Sequence, residues 1–423
     1  MKYEKGYCEK IDDQFSIHIA EDNEEDLKAI IKLNVEVHRE EIIETFIRRV
    51  FSDYPLKDKI LFLYIKDLNQ GKLVSSLCLV PFEWCIGGIN LPICEMEFVG
   101  TLEEYRGRGF IKILNELFEK VMLQNGYLLS VIRGIPFYYR SLGYEYVSSL
   151  DERIIIPMSK IPKKVDKNLK IRKADVKDLA FIESNYNLFH ENYYIYNKFN
   201  PACFKFKFMN DKFDSEVRSS YIVENAGVKT NYFSLGLSYD NQTYEINSPN
   251  LNEKESIILL QFTISLGNYD ENKDLILCTS EVSPLYNYII SLGGQPFYSY
   301  AWQIKMPYID KFFSHIKTLL EFRLKNSMFD GLTKIVRISD YQKTFELNFE
   351  RGILTNIDVK LEYSNPQITD LRVPGSLLIK LLLGDRTINE INYIIKDAIV
   401  HPSSRSLIET LFPKKISLLS SYI

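Results

Sequence analysis

The sequence predicts an α+β protein: one unit of strands and helices, built twice in tandem and followed by a third segment. Three observations predict this. Strand-like segments follow one another between residues 59 and 99 before a long amphipathic helix begins. The pattern of a strand entering a helix restarts after a polar linker, Ile161-Pro-Lys-Lys-Val-Asp-Lys167. Tyr138-Tyr-Arg-Ser-Leu-Gly-Tyr144 returns in form as Tyr288-Ile-Ile-Ser-Leu-Gly-Gly294, each copy leading into an aromatic strand. The expected modules are residues 1–160, 161–300 and 301–423.

Residues 15–50 read as a short strand and then helix. The acidic run Asp22 to Asp26 suits a helix N-terminus, and Ile30, Leu33, Val37, Ile42, Phe46 and Val50 keep helical spacing. Strands are expected at 59–65, 72–80 and 91–99. A Gly/Arg turn at 104–109 then opens a helix with Phe110, Leu114, Leu117, Phe118, Val121 and Met122 on one face, ended by Gly126. Tyr127 to Ile132 is a short strand, and Tyr144 to Pro157 reads as a closing strand pair. In the last module a helix is expected over 312–324, alternating strands at 344–349 and 357–363, and an apolar helix at 376–383 stopped by Gly384. The chain ends on an apolar stretch, Leu418-Leu-Ser-Ser-Tyr-Ile423, unlike most termini.

Composition narrows the function. The 423 residues are 46% hydrophobic and 13% aromatic, enough for sizeable cores, and the formal net charge is −4. An acidic balance argues against a nucleic-acid partner, because phosphate-backbone binding needs a basic surface. No run approaches the ~20 apolar residues of a membrane span. The six cysteines contain no CxxC pair and the five histidines are isolated, so neither a disulfide framework nor a metal site is expected, and the cytosol is the expected compartment. His18, His38 and His190 read as packing residues, and Trp84 and Trp302 as core.

The most informative stretch is Phe98-Val-Gly-Thr-Leu-Glu-Glu-Tyr-Arg-Gly-Arg-Gly-Phe-Ile-Lys112. It sets a strand, a Gly-rich turn and a helix start in succession. Gly107 and Gly109 let backbone approach a ligand, the free N–H groups of the helix start carry partial positive charge, and Arg106 and Arg108 add full charges. Those are the needs of a pyrophosphate. With Pro136-Phe-Tyr-Tyr-Arg-Ser-Leu-Gly-Tyr144 further on, the stretch resembles the GNAT N-acetyltransferases. Their pyrophosphate motif, Gln/Arg-x-x-Gly-x-Gly/Ala, is matched by Arg106 and Gly109. Ile111 stands at the last position, a large residue similar to that of the enhanced intracellular survival (Eis) subfamily. Tyr139 occupies the characteristic tyrosine of the second motif.

The resemblance implies tandem GNAT-like domains, each a mixed, mostly antiparallel sheet with helices and the second degenerate, with a C-terminal sterol-carrier-protein-like α/β domain. It implies acetyl-CoA as acyl donor, a small-molecule primary amine such as an aminoglycoside or polyamine as acceptor, and a homo-oligomer. Cofactor contacts are implied at Val99, Gly100 and Thr101 through main chain, and at Arg106, Gly107, Arg108, Gly109, Phe110, Ile111 and Lys112. Tyr139 is the candidate general acid for the leaving thiolate, since a phenol of pKa about 10 can donate to a thiolate whose acid lies near ~8.5. For the base, the resemblance implies the C-terminal carboxylate, here that of Ile423, with Glu97, Glu103 and Glu104 as alternatives. Glu36, Glu40 and Glu41 are candidate acceptor-cleft acids. In the second copy Ile289 stands where Tyr139 stands in the first, and no phosphate turn is found. Competing readings are a protein or peptide lysine acetyltransferase with the same machinery, and a non-catalytic binding protein with a relic domain.

Overall fold

The computed structural model describes residues 2–40, 42–150, 152–209, 218–238, 242–248, 250–267, 273–298, 300–361 and 367–420. The chain forms two compact units. One is Met1–Phe51, Leu56–Ser148 and Trp302–Ser417; the other is Ser52–Pro55, Ser149–Ala301 and Leu418–Ile423.

The first unit opens with β1 (Cys8–Lys10), β2 (Phe15–Ile19), α1 (Glu24–His38) and α2 (Ile42–Asp53). Asn23 caps α1 by accepting the Asp26 N–H, and Arg39 stops it in the left-handed region at φ 58°. One helical run in the sequence is therefore two helices. Then come β3 (Leu61–Asp67), β4 (Lys72–Ile86) and β5 (Ile89–Thr101). β4 and β5 are longer than expected. They continue past Pro81 to a two-residue hairpin turn at Gly87 and Gly88, both at positive φ as that tight turn requires. α3 (Phe110–Asn125), β6 (Leu129–Ile132) and β7 (Glu145–Ser149) follow.

The second unit carries β8 (Glu152–Pro157), β9 (Leu169–Lys173), α4 (Leu179–His190), β10 (Ile195–Asn197), α5 (Pro201–Phe208), β11 (Ser219–Asn225), β12 (Val228–Leu237) and β13 (Thr243–Asn247). α6 (Glu253–Leu266), β14 (Asp274–Thr279), α7 (Pro284–Ser291) and β15 (Gln295–Tyr298) complete it. Its sheet runs β15-β8-β14-β13-β12-β11-β9. β13 and β14 are parallel, whereas β12 and β13 are antiparallel.

The next strand, β16 (Ala301–Lys305), lies in the first sheet, whose order is β1-β2-β3-β4-β5-β6-β16-β7. The two copies share a strand pattern: β5 and β6 are parallel like β13 and β14, and in each the inner strand beside the last comes from the other copy's stretch of sequence. The closing strand pair expected at 144–157 is thus divided between two sheets. The link from Ser149 to Glu152 holds no glycine or asparagine to turn a tight hairpin. The exchanged strands are well buried: Ile154 and Ile156 on β8, and Trp302 and Ile304 on β16, are all 0% exposed.

The repeat signature has one backbone geometry in both copies. The Tyr144 N–H donates to the Tyr139 carbonyl (3.1 Å) and the Gly294 N–H to the Ile289 carbonyl (2.9 Å), with Gly143 and Gly293 both at φ 89°.

Residues 302–417 continue in the first unit with α8 (Ile309–His315) and α9 (Lys317–Lys325), so the helix expected over 312–324 is broken at Ile316. β17 (Lys334–Ser339), β18 (Thr344–Glu350), β19 (Ile353–Lys360), β20 (Leu371–Arg372) and β21 (Ile399–Val400) form a sheet ordered β19-β18-β17-β20-β21. α10 (Leu377–Leu382), α11 (Ile388–Ile394) and α12 (Arg405–Leu411) complete it. Lys305 on β16 pairs with Glu119 on α3, the Tyr308 hydroxyl donates to the Glu119 carbonyl, and Lys380 lies beside Glu145 and the Tyr146 carbonyl of β7. No helix among the described residues is long and apolar enough to cross a membrane.

Candidate active site

The first unit holds a cleft of about 790 Å³ where β5 ends and α3 begins. Its shape starts with a bulge. Ser76 pairs with Gly100 but Cys78 pairs with Glu97, so two residues of β5, Phe98 and Val99, oppose the single Leu77. Phe98 sits at φ 50°, a left-handed conformation rare for an aromatic residue. The bulge turns the end of β5 towards the cleft. Gly100 then allows α1 to close in, since a Cβ there would lie 2.7 Å from Val37 Cγ1.

Beyond β5 the chain turns through Gly107 (φ 79°) and Gly109 (φ 78°), where any other L residue would be strained. At both, the place of a Cβ is open space. Gly109 is the N-cap of α3 and supplies no side-chain acceptor. The first intrahelical bond runs from Ile113 N–H to the Gly109 carbonyl, so the N–H groups of Phe110, Ile111 and Lys112 have no partner within the helix. Arg106, Arg108 and Lys112 are exposed around this helix start. Arg108 lies over the rings of Tyr105 and Phe15, at 5.3 and 5.7 Å. Tyr105 is fixed in turn by donating to Asp67 at 2.9 Å. Burial alone would raise the Asp67 carboxyl. Hydrogen bonds from Tyr105, Gln14 and the backbone of Gln70 and Asn69 outweigh it and hold the group below its usual range. Ile111 does not obstruct the site: it is 9% exposed and packs into the hydrophobic core.

Tyr139 lines the cleft from the other side. Its ring lies against Gly134, where a Cβ would meet Cε2 at 2.1 Å, and makes edge contacts with Tyr138 and Tyr144. Burial, then the charge of Glu97 and the neighbouring Tyr138, push the Tyr139 phenol well up, so it keeps its proton at neutral pH.

Glu97 stands among several ionisable groups. Arg133 donates from Nη2 to Glu97 (3.2 Å) and from Nε to Glu95 (3.1 Å). His38, at the end of α1, feels the charges of Glu40 and Glu97, although burial is the larger influence and lowers its pKa. Its Nε2 is buried without a hydrogen-bond partner. By contrast, Glu103 and Glu104 are surface carboxylates paired with Arg39 and Lys72. Glu36 and Glu40 are exposed, and Glu41 lies outside the described residues.

All ten expected cofactor residues, Val99 to Thr101 and Arg106 to Lys112, line this one cleft together with Tyr139. Ile423 lies outside the described residues. The tail before it is anchored in the second unit: Leu418 N–H donates to the Ile195 carbonyl (2.8 Å), Ser420 exchanges hydrogen bonds with Asn197, and Leu419 is 3% exposed. Glu95 and Arg133 were missed at the level of sequence, and His38 was read as packing. The available signal was Glu95-Met-Glu97, two carboxylates on one face of a strand that otherwise reads as core.

The second copy shows what the first would be without this site. α6 begins with a reciprocal cap, in which Asn252 accepts the Glu255 N–H (3.1 Å) and Glu255 accepts the Asn252 N–H (3.0 Å). Side chains already occupy N–H groups of the kind that α3 leaves open, and Ile289 is buried at the tyrosine position.

Comparisons agree with this architecture. Residues 18–147 match the family model described as acetyltransferase (GNAT) domain. No curated protein matches the sequence. Among solved structures, a probable N-acyltransferase from Enterococcus faecalis is 13% identical, covering 97% of this chain and 100% of that one at a TM-score of 0.70. A GCN5-related N-acetyltransferase from Anabaena variabilis is 15% identical over 95% and 99% of the two chains, TM-score 0.68. Eis1 from Mycobacterium abscessus is 11% identical over 96% and 99%, TM-score 0.61. The glycine turn, the uncapped helix and the family match coincide in one stretch, so the chain carries a GNAT acetyltransferase domain at residues 18–147 and is an acyltransferase of that fold.

Proposed function

We propose that the protein moves an acetyl group from acetyl-CoA to a primary amine by direct attack within a ternary complex. The observation that carries this reading is the single cleft that joins the uncapped start of α3 to Tyr139. The N–H groups of residues 110–112, with Arg106, Arg108 and Lys112, receive the pyrophosphate. The main chain of Val99 to Thr101 holds the pantetheine arm beside the bulge. The amine nitrogen attacks the thioester carbonyl, the carbon–sulfur bond breaks, and the departing thiolate takes the Tyr139 proton. An amine of pKa near ~10.4 arrives protonated and must give up that proton to a base. We take Glu97, whose charge reaches Tyr139, as the base of this reading; the carboxylate of Ile423 is its competitor.

Aminoglycosides and polyamines are the acceptors of this reading. A second acceptor class, lysine within a peptide, draws support from Ile135, Phe137 and Tyr138 near the cleft mouth, which are 65%, 75% and 41% exposed and would suit an apolar flank. The reading extends, on its likeness to Eis-type proteins, to a cytosolic homo-oligomer whose residues 301–423 serve as a sterol-carrier-like module. Calorimetric titration with acetyl-CoA, followed by thiol release over a panel of amines, antibiotics and peptides, tests it. Saturable binding with amine-dependent thiol release is expected. No binding at millimolar acetyl-CoA would leave a non-catalytic binding protein.

A further inference from the structure

β5 is held further along one edge than along the other. Within the described residues its pairing with β6 covers Ile93 to Glu95, whereas its pairing with β4 reaches Thr101. The stretch with the bulge therefore relies on β4, and a bulge breaks the ladder there and leaves main-chain groups in need of partners. Side chains supply them. Ser76 Oγ donates to the Phe98 carbonyl (3.4 Å). Ser75 Oγ donates to the Gly100 carbonyl (3.0 Å) and lies 2.8 Å from Thr101 Oγ1. Successive residues of a strand point to opposite faces, so the end of β5 is gripped from both faces of the sheet. On one face the grip continues into α1: Asn34 Nδ2 donates to Ser76 Oγ (3.2 Å) and to the Ile30 carbonyl (2.9 Å).

Asn34, Ser75 and Ser76 are all 0% exposed. Asn34 shares the buried face of α1 with Leu27, Ile30, Ile31 and Leu33, and its Oδ1 has no hydrogen-bond partner. An amide half satisfied in an apolar core costs stability that a leucine would not, so packing does not account for it. We propose that Asn34 and Ser76 are positioning residues: in series they fix the Phe98 carbonyl and so hold the bulged main chain of Val99 to Thr101 where the pantetheine arm of the acyl donor binds. The inference rests on the acetyl-CoA reading above and divides the donor site in two. The start of α3 and its cations act on the pyrophosphate, and the Asn34–Ser76 relay acts on the arm. Phe98 at φ 50° is the point of control, since a strained residue stays in place only while its surroundings hold it there.

The test needs no known acceptor. Calorimetry on the full-length chain compares two ligands: acetyl-CoA, and 3′-phosphoadenosine 5′-diphosphate, which keeps the pyrophosphate and lacks the arm. Ser76→Ala is expected to weaken acetyl-CoA about fivefold, the worth of one buried hydrogen bond, and to leave the nucleotide's dissociation constant unchanged. Asn34→Leu, close in volume and free of the orphaned oxygen, is expected to show the same split and takes over should Ser76→Ala not fold. Because the two residues act in series, the double variant is expected to bind acetyl-CoA no more weakly than Ser76→Ala alone. Unchanged acetyl-CoA affinity in the single variants would overturn the inference. Equal weakening of both ligands would do so too, since it marks a general loosening, and additive losses in the double variant would refute the relay. Failure of the underlying reading looks different: the wild-type chain itself would then bind neither ligand at millimolar concentration.

Discussion

Tyr139 has its role decided by its surroundings more than by its chemistry. Gly134 clears room for the ring, and burial keeps the phenol protonated. Tyr139→Phe is expected to lower kcat roughly 10²-fold with acetyl-CoA affinity unchanged; equal turnover would remove it as the acid. Its raised pKa has a sign. Activity is expected to persist through pH ~10, where an ordinary phenol ionises, and an alkaline limb there would contradict the assignment. The two candidate bases separate cleanly. Glu97→Gln is expected to abolish turnover, while residues appended after Ile423 leave it intact; the reverse pattern would move the base to the terminal carboxylate. Tyr139 was legible because its motif is contiguous in sequence. The Glu95, Arg133 and His38 cluster was not, because it is assembled from two strands and a helix end that only folding brings together.

At the level of elements, two homologous helices differ in who satisfies their first turn. α6 caps itself through Asn252 and Glu255, whereas α3 leaves that work to a ligand. Gly109→Glu is therefore expected to weaken acetyl-CoA binding about tenfold or more, by placing a carboxylate and a strained backbone where an anion belongs. An unchanged dissociation constant would discredit the phosphate turn. α4 offers a second element-scale test. His190 lies flat on Tyr186 (3.5 Å between ring centres) and shares a 2.8 Å contact between Nδ1 and the Tyr186 carbonyl; burial drives its pKa down to about 4. The unfolded chain binds this proton near pH ~6.5 and the folded chain near 4, so the neutral ring's contribution is complete above ~6.5 and is lost as pH falls towards 4. Thermal melts of His190→Gln are expected to show a shallower loss of stability across that window than wild type; an identical slope would refute the linkage. Element boundaries were read well where glycine or a cap marks them, as at Gly126. They were misread where the backbone bends without glycine, as at Arg39 and Ile316.

On the scale of the whole molecule, tandem repetition was visible in the sequence but the traffic of strands between the copies was not. Periodicity and composition report which residues prefer a sheet; they are silent about which sheet. β8 and β16 both read as ordinary buried strands, and each sits between two strands of the copy it does not adjoin in sequence. A chain stopped after Leu150 keeps every residue lining the cleft yet lacks Trp302 to Lys305. That fragment is expected to lose cooperative unfolding and acetyl-CoA binding, and a folded fragment with full-length affinity would contradict the exchange.

The exchanged strand also sets a clock on biogenesis. When β7 leaves the ribosome its future neighbour is still roughly 150 residues from being synthesised, on the order of 8–30 s away at ordinary elongation speed. During that interval the donor-binding half carries an open slot beside β6, and a nascent chain in this state invites any passing strand to fill it. Vectorial folding, half by half, is closed to this protein; maturation of the first half waits for translation of the second.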